Sequence, residues 1–145
     1  MSLRFSLKPV SLSECLTAQR RIPELATGAS LARYERKIAA APFLALVAYQ
    51  QHHIIGFKLG FALSPQCFYS WLGGVVPSYR SQGVARALLQ YQERWAKAHG
   101  YQEIQVKSML CFSAMRAMLA KYQYLQLTAN SQIDADTKIV FSKPL

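Results

Sequence analysis

Acidic side chains are scarce in this sequence, with 7 Asp and Glu against 17 Lys and Arg in 145 residues. The formal charge of +10 calls for an anionic partner or a solvated basic surface. Lys and Arg are scattered in runs no longer than two, and aromatics are not interleaved with them, which disfavours a nucleic-acid-binding module. Cysteine is also sparse. Cys15, Cys67 and Cys111 form no C-x-x-C pair, show no metal-ligand spacing and are odd in number, so free thiols in a reducing compartment are expected. No apolar stretch approaches the roughly 20 residues of a membrane span, and Arg4, Lys8 and Glu14 interrupt any signal-peptide pattern. A cytoplasmic protein is expected. His52 and His53 adjoin with no third ligand nearby, so no metal site is expected. Repeats, linkers and low-complexity tracts are missing, and residues 1–145 read as one domain.

What is present is organised around residues 73–89, GGVVPSYRSQGVARALL, a strand end, a tight turn and a helix start. Val84, Leu88, Tyr91 and Trp95 share one helical face, and Gly100 ends it. The first turn of such a helix leaves backbone N–H groups free and carries a partial positive charge, so Gln82 to Arg86 suit an anion, phosphate above all. Gly83 lets a ligand approach the backbone, Ala85 keeps the next turn low, and Arg80 and Arg86 add charges that pair with phosphate oxygens. Two common phosphate loops fail on spacing. Val84 and Ala85 follow Gly83 where a Walker-type loop needs Lys and Ser or Thr, and the three glycines of a dinucleotide fingerprint are absent.

Around this stretch, Leu3, Phe5 and Leu7 alternate as a strand. Ser11 and Glu14 make a capping box for a helix that stops near Ile22. Residues 21–28 read as a loop, and Ser30 caps a helix with Leu31, Tyr34 and Ile38 inward, ended by Pro42. Phe43 to Tyr49 and Ile54 to Leu63 form a hairpin across Gln50-Gln51-His52-His53, and a strand runs from Cys67 to Val76 with a bulge or close approach at Gly73-Gly74. Beyond the long helix come a strand from Glu103 to Lys107, a helix facing inward with Ala114, Met115, Met118, Leu119 and Tyr122, an alternating segment to Thr128, a turn from Asn130 to Asp136 and a last strand from Ile139 to Phe141.

The pattern Val75-x-Pro77-x-Tyr79-Arg80-x-x-Gly83-x-Ala85-x-x-Leu88-Leu89 resembles the acyl-CoA-binding motif of the GNAT superfamily of N-acyltransferases, and the order of elements resembles that fold along nearly the whole chain. The resemblance implies an α+β domain (α/β in layering): a central mixed, mostly antiparallel sheet of about seven strands, helices on both faces, splayed at its central strands. It implies acetyl-CoA as cosubstrate, held by the strand end at Val75 and Val76 and by the turn of Arg80, Ser81, Gln82, Gly83, Val84, Ala85 and Arg86. The implied reaction is direct transfer of an acetyl group to a primary amine of a small molecule, an amino acid or a protein.

The chain departs from the family in its proton-handling residues. Phe68 to Val76 contains no carboxylate where many members carry a base, Leu119 stands where many carry a tyrosine, and Phe112 where Asn is common. Tyr122, three residues on, is one candidate. Glu24 is the other, because the loop between the first two helices borders the acceptor site in the resembled family. Glu93 is expected to face solvent, and Asp134 and Asp136 fall in a late turn. Lys107 and Ser108 are expected near the cleft, where Lys107 would favour an acceptor bearing a carboxylate. The missing groups keep open a non-catalytic acyl-CoA-binding or sensing domain, and the sequence leaves the oligomeric state open, a homodimer included.

Overall fold

Three apolar runs, Phe43–Gln50 (β2), His53–Ala62 (β3) and Cys67–Val75 (β4), form the centre of a seven-stranded sheet. The computed structural model describes residues 4–109, 113–127 and 138–145. Expectations placed on Leu3, Cys111, Phe112, Thr128 and the turn from Asn130 to Asp136 lie outside the described residues, as do both acids of that turn. With β1 (Ser6–Pro9), β5 (Glu103–Met109), β6 (Leu125–Gln126) and β7 (Lys138–Pro144), the order is β1-β2-β3-β4-β5-β7-β6. Every pair is antiparallel except β4 with β5, because a helix carries the chain back between those two.

Helices cover both faces, which is why β2 and β3 read as nearly continuous apolar runs. Ala45, Val47, Phe57, Leu59 and Phe61 pack with Cys15 and Ala18 of α1 (Leu12–Arg20) and Tyr34 and Ile38 of α3 (Leu31–Ile38). Leu44, Leu46, Ala48 and Phe68 pack with Val84, Leu88, Leu89 and Ala96 of the helix Val84–Ala98 and with Leu119 of Ser113–Lys121. That longer helix approaches closely at Gly60, where a Cβ would lie 2.6 Å from both Gln92 Nε2 and Phe68 Cε2. The expected caps form: Ser11 accepts from the Glu14 N–H and Ser30 from the Arg33 N–H.

Several local expectations need correction. The presumed loop at 21–28 contains a one-turn helix, α2 (Pro23–Ala26), started by Pro23 in its first turn, where a fixed φ is pre-organised. Counting it, the two later helices are α4 and α5. α3 stops at Ile38 rather than at Pro42, since Ala39 takes φ 53. The hairpin turn is only Gln51-His52, at φ 49 and 71, the mirror-image type that matches strand twist. The β4 bulge falls on Trp71, left unmatched between the pairs Leu59↔Leu72 and Gly60↔Ser70. Gly74 instead admits helix side chains, because a Cβ there would lie 2.9 Å from Ile22 Cδ1 and 3.0 Å from Leu25 Cδ1. Glu93 does not face solvent: it accepts from the Tyr124 hydroxyl at 3.0 Å and pairs with Lys143 at 3.0 Å, tying α4 to β7. Among the described residues no helix is long and apolar enough to cross a membrane.

Candidate active site

The parallel pairing of β4 and β5 runs only from Cys67↔Glu103 to Ser70↔Val106, although β4 continues to Val75 and β5 to Met109. The Trp71 bulge bends β4 away at that point, as an inserted residue does. Past Ser70 the two strands splay. On its other side β4 stays with β3, where the Val76 N–H donates to the Ile55 carbonyl at 2.8 Å. Antiparallel strands turn alternate residues toward alternate neighbours, so Gly73 and Val75 direct their backbone groups into the splay. The Val75 carbonyl accordingly accepts from Arg80 Nε at 3.1 Å. Of the Val75-Val76 pair singled out in the sequence, Val75 therefore borders the slot with its N–H, while Val76 gives its own to β3.

After β4 the chain makes a 3-10 turn, Pro77–Tyr79, then reverses through Ser81 at φ 64 and Gly83 at φ 86. α4 begins at Val84 with no side-chain cap, anchored by the buried Val84 and Leu88. Among the described residues, no protein acceptor meets the backbone N–H of Ser81, Gln82, Gly83, Val84, Ala85 or Arg86. A Cβ on Gly83 would meet nothing within 4 Å. The turn is thus an open, electropositive cradle at the end of the splay, with the free N–H groups and partial positive charge that suit an anion.

Two residues given separate duties in the sequence stand together. Arg80 Nη2 pairs with Glu24 Oε2 at 2.6 Å, with both side chains about half exposed (48% and 57%). A pair so exposed is worth only about 0.2–1 kcal/mol, so it orders the rim without locking it. Arg86 lies with its guanidinium 5.7 Å over the Tyr122 ring, joining the first turn of α4 to the end of α5. Leu119 is fully buried.

On the α3 face, beside the last paired rung of β4 and β5, Lys37, Phe61, Leu63, Tyr69 and Lys107 line a cavity of about 190 Å³. Lys107 Nζ lies 5.6 Å over the Tyr69 ring. A larger hollow of about 370 Å³ at Ser6, Lys8, Tyr49, Gln51 and His52 belongs to the β1 edge and adjoins neither slot nor turn.

The residue that sequence reasoning missed is Lys58. It sits in the middle of β3, 8% exposed, directly opposite Gly73. Burial lowers its pKa from 10.5 to about 8, against a smaller opposing pull from Glu93. A signal existed: it is the lone charge in the run Ile54 to Leu63, in step with Gly56 and Gly60.

The chain matches the family model described as "Acetyltransferase (GNAT) family" over residues 11–123. A comparison with curated proteins finds no match. Among solved structures it is similar to the ribosomal-protein-S18-alanine N-acetyltransferase of Escherichia coli, with a TM-score of 0.79, 14% identity and coverage of 97% of this chain and 93% of that one. It is similar also to a GNAT family acetyltransferase from Elizabethkingia anophelis solved with acetyl-CoA bound (0.76, 12%, 99% and 100%). Ard1 from Thermoplasma volcanium is a third (0.76, 16%, 98% and 98%). At these identities the structures speak for the fold, and the family model, covering most of the chain, speaks for the lineage. With a seven-stranded splayed sheet and an open turn before α4, the chain belongs to the acetyltransferase (GNAT) family.

Proposed function

We propose that the protein is a cytoplasmic N-acetyltransferase that moves the acetyl group of acetyl-CoA directly to a primary amine of a small molecule, an amino acid or a protein. One observation carries this reading: the β4–β5 splay opens beside a turn whose N–H groups meet no protein acceptor among the described residues. In this reading the N–H groups from Ser81 to Arg86 hold the pyrophosphate, with Arg80 and Arg86 neutralising its charge. The Val75 N–H pairs with the pantetheine arm. The Gly73 N–H faces the thioester oxygen, where negative charge develops during attack. Glu24 receives the incoming amine, taking its proton directly or through water, and Tyr122 is the second proton-handling candidate. The lysines beside Tyr69 support an acceptor that carries a carboxylate.

The reading is tested by calorimetric titration with CoA, followed by a screen of amines for free thiol released from acetyl-CoA. Saturable CoA binding with an amine that accelerates thiol release supports it. CoA binding without turnover on any amine would favour the second reading, an acyl-CoA sensor, which rests on the missing β4 carboxylate and on Leu119. Failure to bind CoA would reject both.

A further inference from the structure

Lys58 is a buried cation with no hydrogen-bond or ion-pair partner of its own among the described residues. Among the described residues it makes no ion pair, and the carboxylate that reaches it electrostatically, Glu93, is already engaged by Lys143 and by the Tyr124 hydroxyl. An ammonium in such a place weakens the fold, and an apolar side chain of similar volume would be accommodated as well or better.

Its position is informative. Gly56 and Gly60, two residues to either side on β3, face Val84, Leu88 and Gln92 of α4, so Lys58 lies on the α4 face. That is the face carrying the phosphate turn. Lys58 and Gly73 are opposite one another in a pair whose backbones do not bond each other, the closer of the two kinds of rung. Lys58 Nζ comes within 3.3 Å of the point where a Cβ on Gly73 would stand. The missing side chain of Gly73 is what lets the ammonium lie across β4 at the splay, next to the N–H assigned above to the thioester.

We propose that Lys58 is the acid of this transfer, its ammonium giving a proton to the CoA sulfur as the carbon–sulfur bond breaks. The amine lone pair forms the new carbon–nitrogen bond, and the carbon–sulfur electron pair leaves on sulfur. Sulfur takes the Lys58 proton; the proton shed by the attacking nitrogen passes to Glu24, directly or through water, and from there to solvent, and water recharges Lys58. The acid lies on the α4 face across Gly73, beside the N–H assigned above to the thioester, and it does not require the tyrosine that Leu119 replaces. A pKa near 8 keeps Lys58 charged at neutral pH and close to the thiol it serves, near 8.5 when free.

The proposal rests on the acyl-CoA reading, and the test separates the two. The thiol of bound CoA is titrated by its ultraviolet thiolate absorbance in the parent protein and in Lys58→Met, with calorimetry of CoA binding to each. A cation within about 4–6 Å lowers the thiol pKa by about 1–3 units, so the bound thiol should titrate at least about one unit below free CoA in the parent, and the depression should vanish in Lys58→Met while the dissociation constant changes less than about threefold. If both proteins bind CoA and their thiols titrate alike, Lys58 is not at the sulfur. If the parent does not bind CoA, the acyl-CoA reading has failed first and takes this proposal with it. Should Lys58→Met not fold, the parent titration decides alone, an undepressed thiol overturning the assignment.

Discussion

Replacing Gly83 by alanine separates the two properties of the proposed phosphate turn, its backbone shape and its openness. Gly83 stands at φ 86 and ψ 8, ahead of the first helical residue. An L-residue held in that left-handed region costs about 1–2 kcal/mol. The new methyl would meet no protein atom within 4 Å, so no clash adds to the strain. For a domain of this size, that loss corresponds to a fall in Tm of roughly 2–8 °C. The methyl instead enters the space where a diphosphate would lie against the N–H groups. Charge-assisted hydrogen bonds are worth about 1.5–3 kcal/mol each, so displacing two of them weakens CoA binding by about 3 kcal/mol or more, over a hundredfold in Kd. Pantetheine, which lacks the diphosphate, should bind Gly83→Ala and the parent alike. Differential scanning calorimetry gives the first quantity and isothermal titration the second. A folded Gly83→Ala protein that binds CoA with the parental Kd would refute the phosphate assignment, and an unchanged Tm would refute the left-handed backbone.

Glu24→Gln should leave stability within about 1 kcal/mol, since the pair with Arg80 is half exposed. It should raise CoA affinity by freeing Arg80, while lowering turnover on any amine found by the screen; Arg80→Ala should weaken CoA binding, and the opposite pattern in titrations would remove both residues from the site. Gln92 is fully buried on α4 with neither amide atom hydrogen-bonded among the described residues, so Gln92→Met should stabilise the fold by about 1–3 kcal/mol, and a drop in Tm would show that the amide has a partner. Lys58→Met should also be more stable than the parent at pH 7, and the sign of its pH dependence follows from the lowered pKa. The unfolded chain holds the Lys58 proton up to 10.5 but the folded chain only to about 8, so across that window the parent gains stability from this group as pH rises. The Tm gap between the two proteins should therefore be widest below pH 8 and close toward pH 10.5; a gap that does not change would contradict a charged, buried Lys58. Comparing the two cancels the common alkaline loss from Cys15, whose thiol burial pushes up to about 12.

Residue order alone determined whatever depends on short-range chemistry. The helix caps at Ser11 and Ser30, the apolar face of α4 and the open turn at Gly83 arise from neighbours a few residues apart, so spacing and side-chain type sufficed to find them. The left-handed turn at Gln51-His52 and the bulge at Trp71 carry no glycine or asparagine of their own and arise from strand pairing, which no local window contains. Tertiary packing likewise decided that Glu24 meets Arg80 across 56 positions of sequence and that Glu93 is drawn inward by β7. It decided most at Lys58: in the sequence this is one more base among 17, and only the pairing of β3 with β4 turns it into a buried ammonium beside Gly73. Charge is a property of the residue, but the free energy of a charge is set by the water it has lost, and only the folded chain fixes that loss.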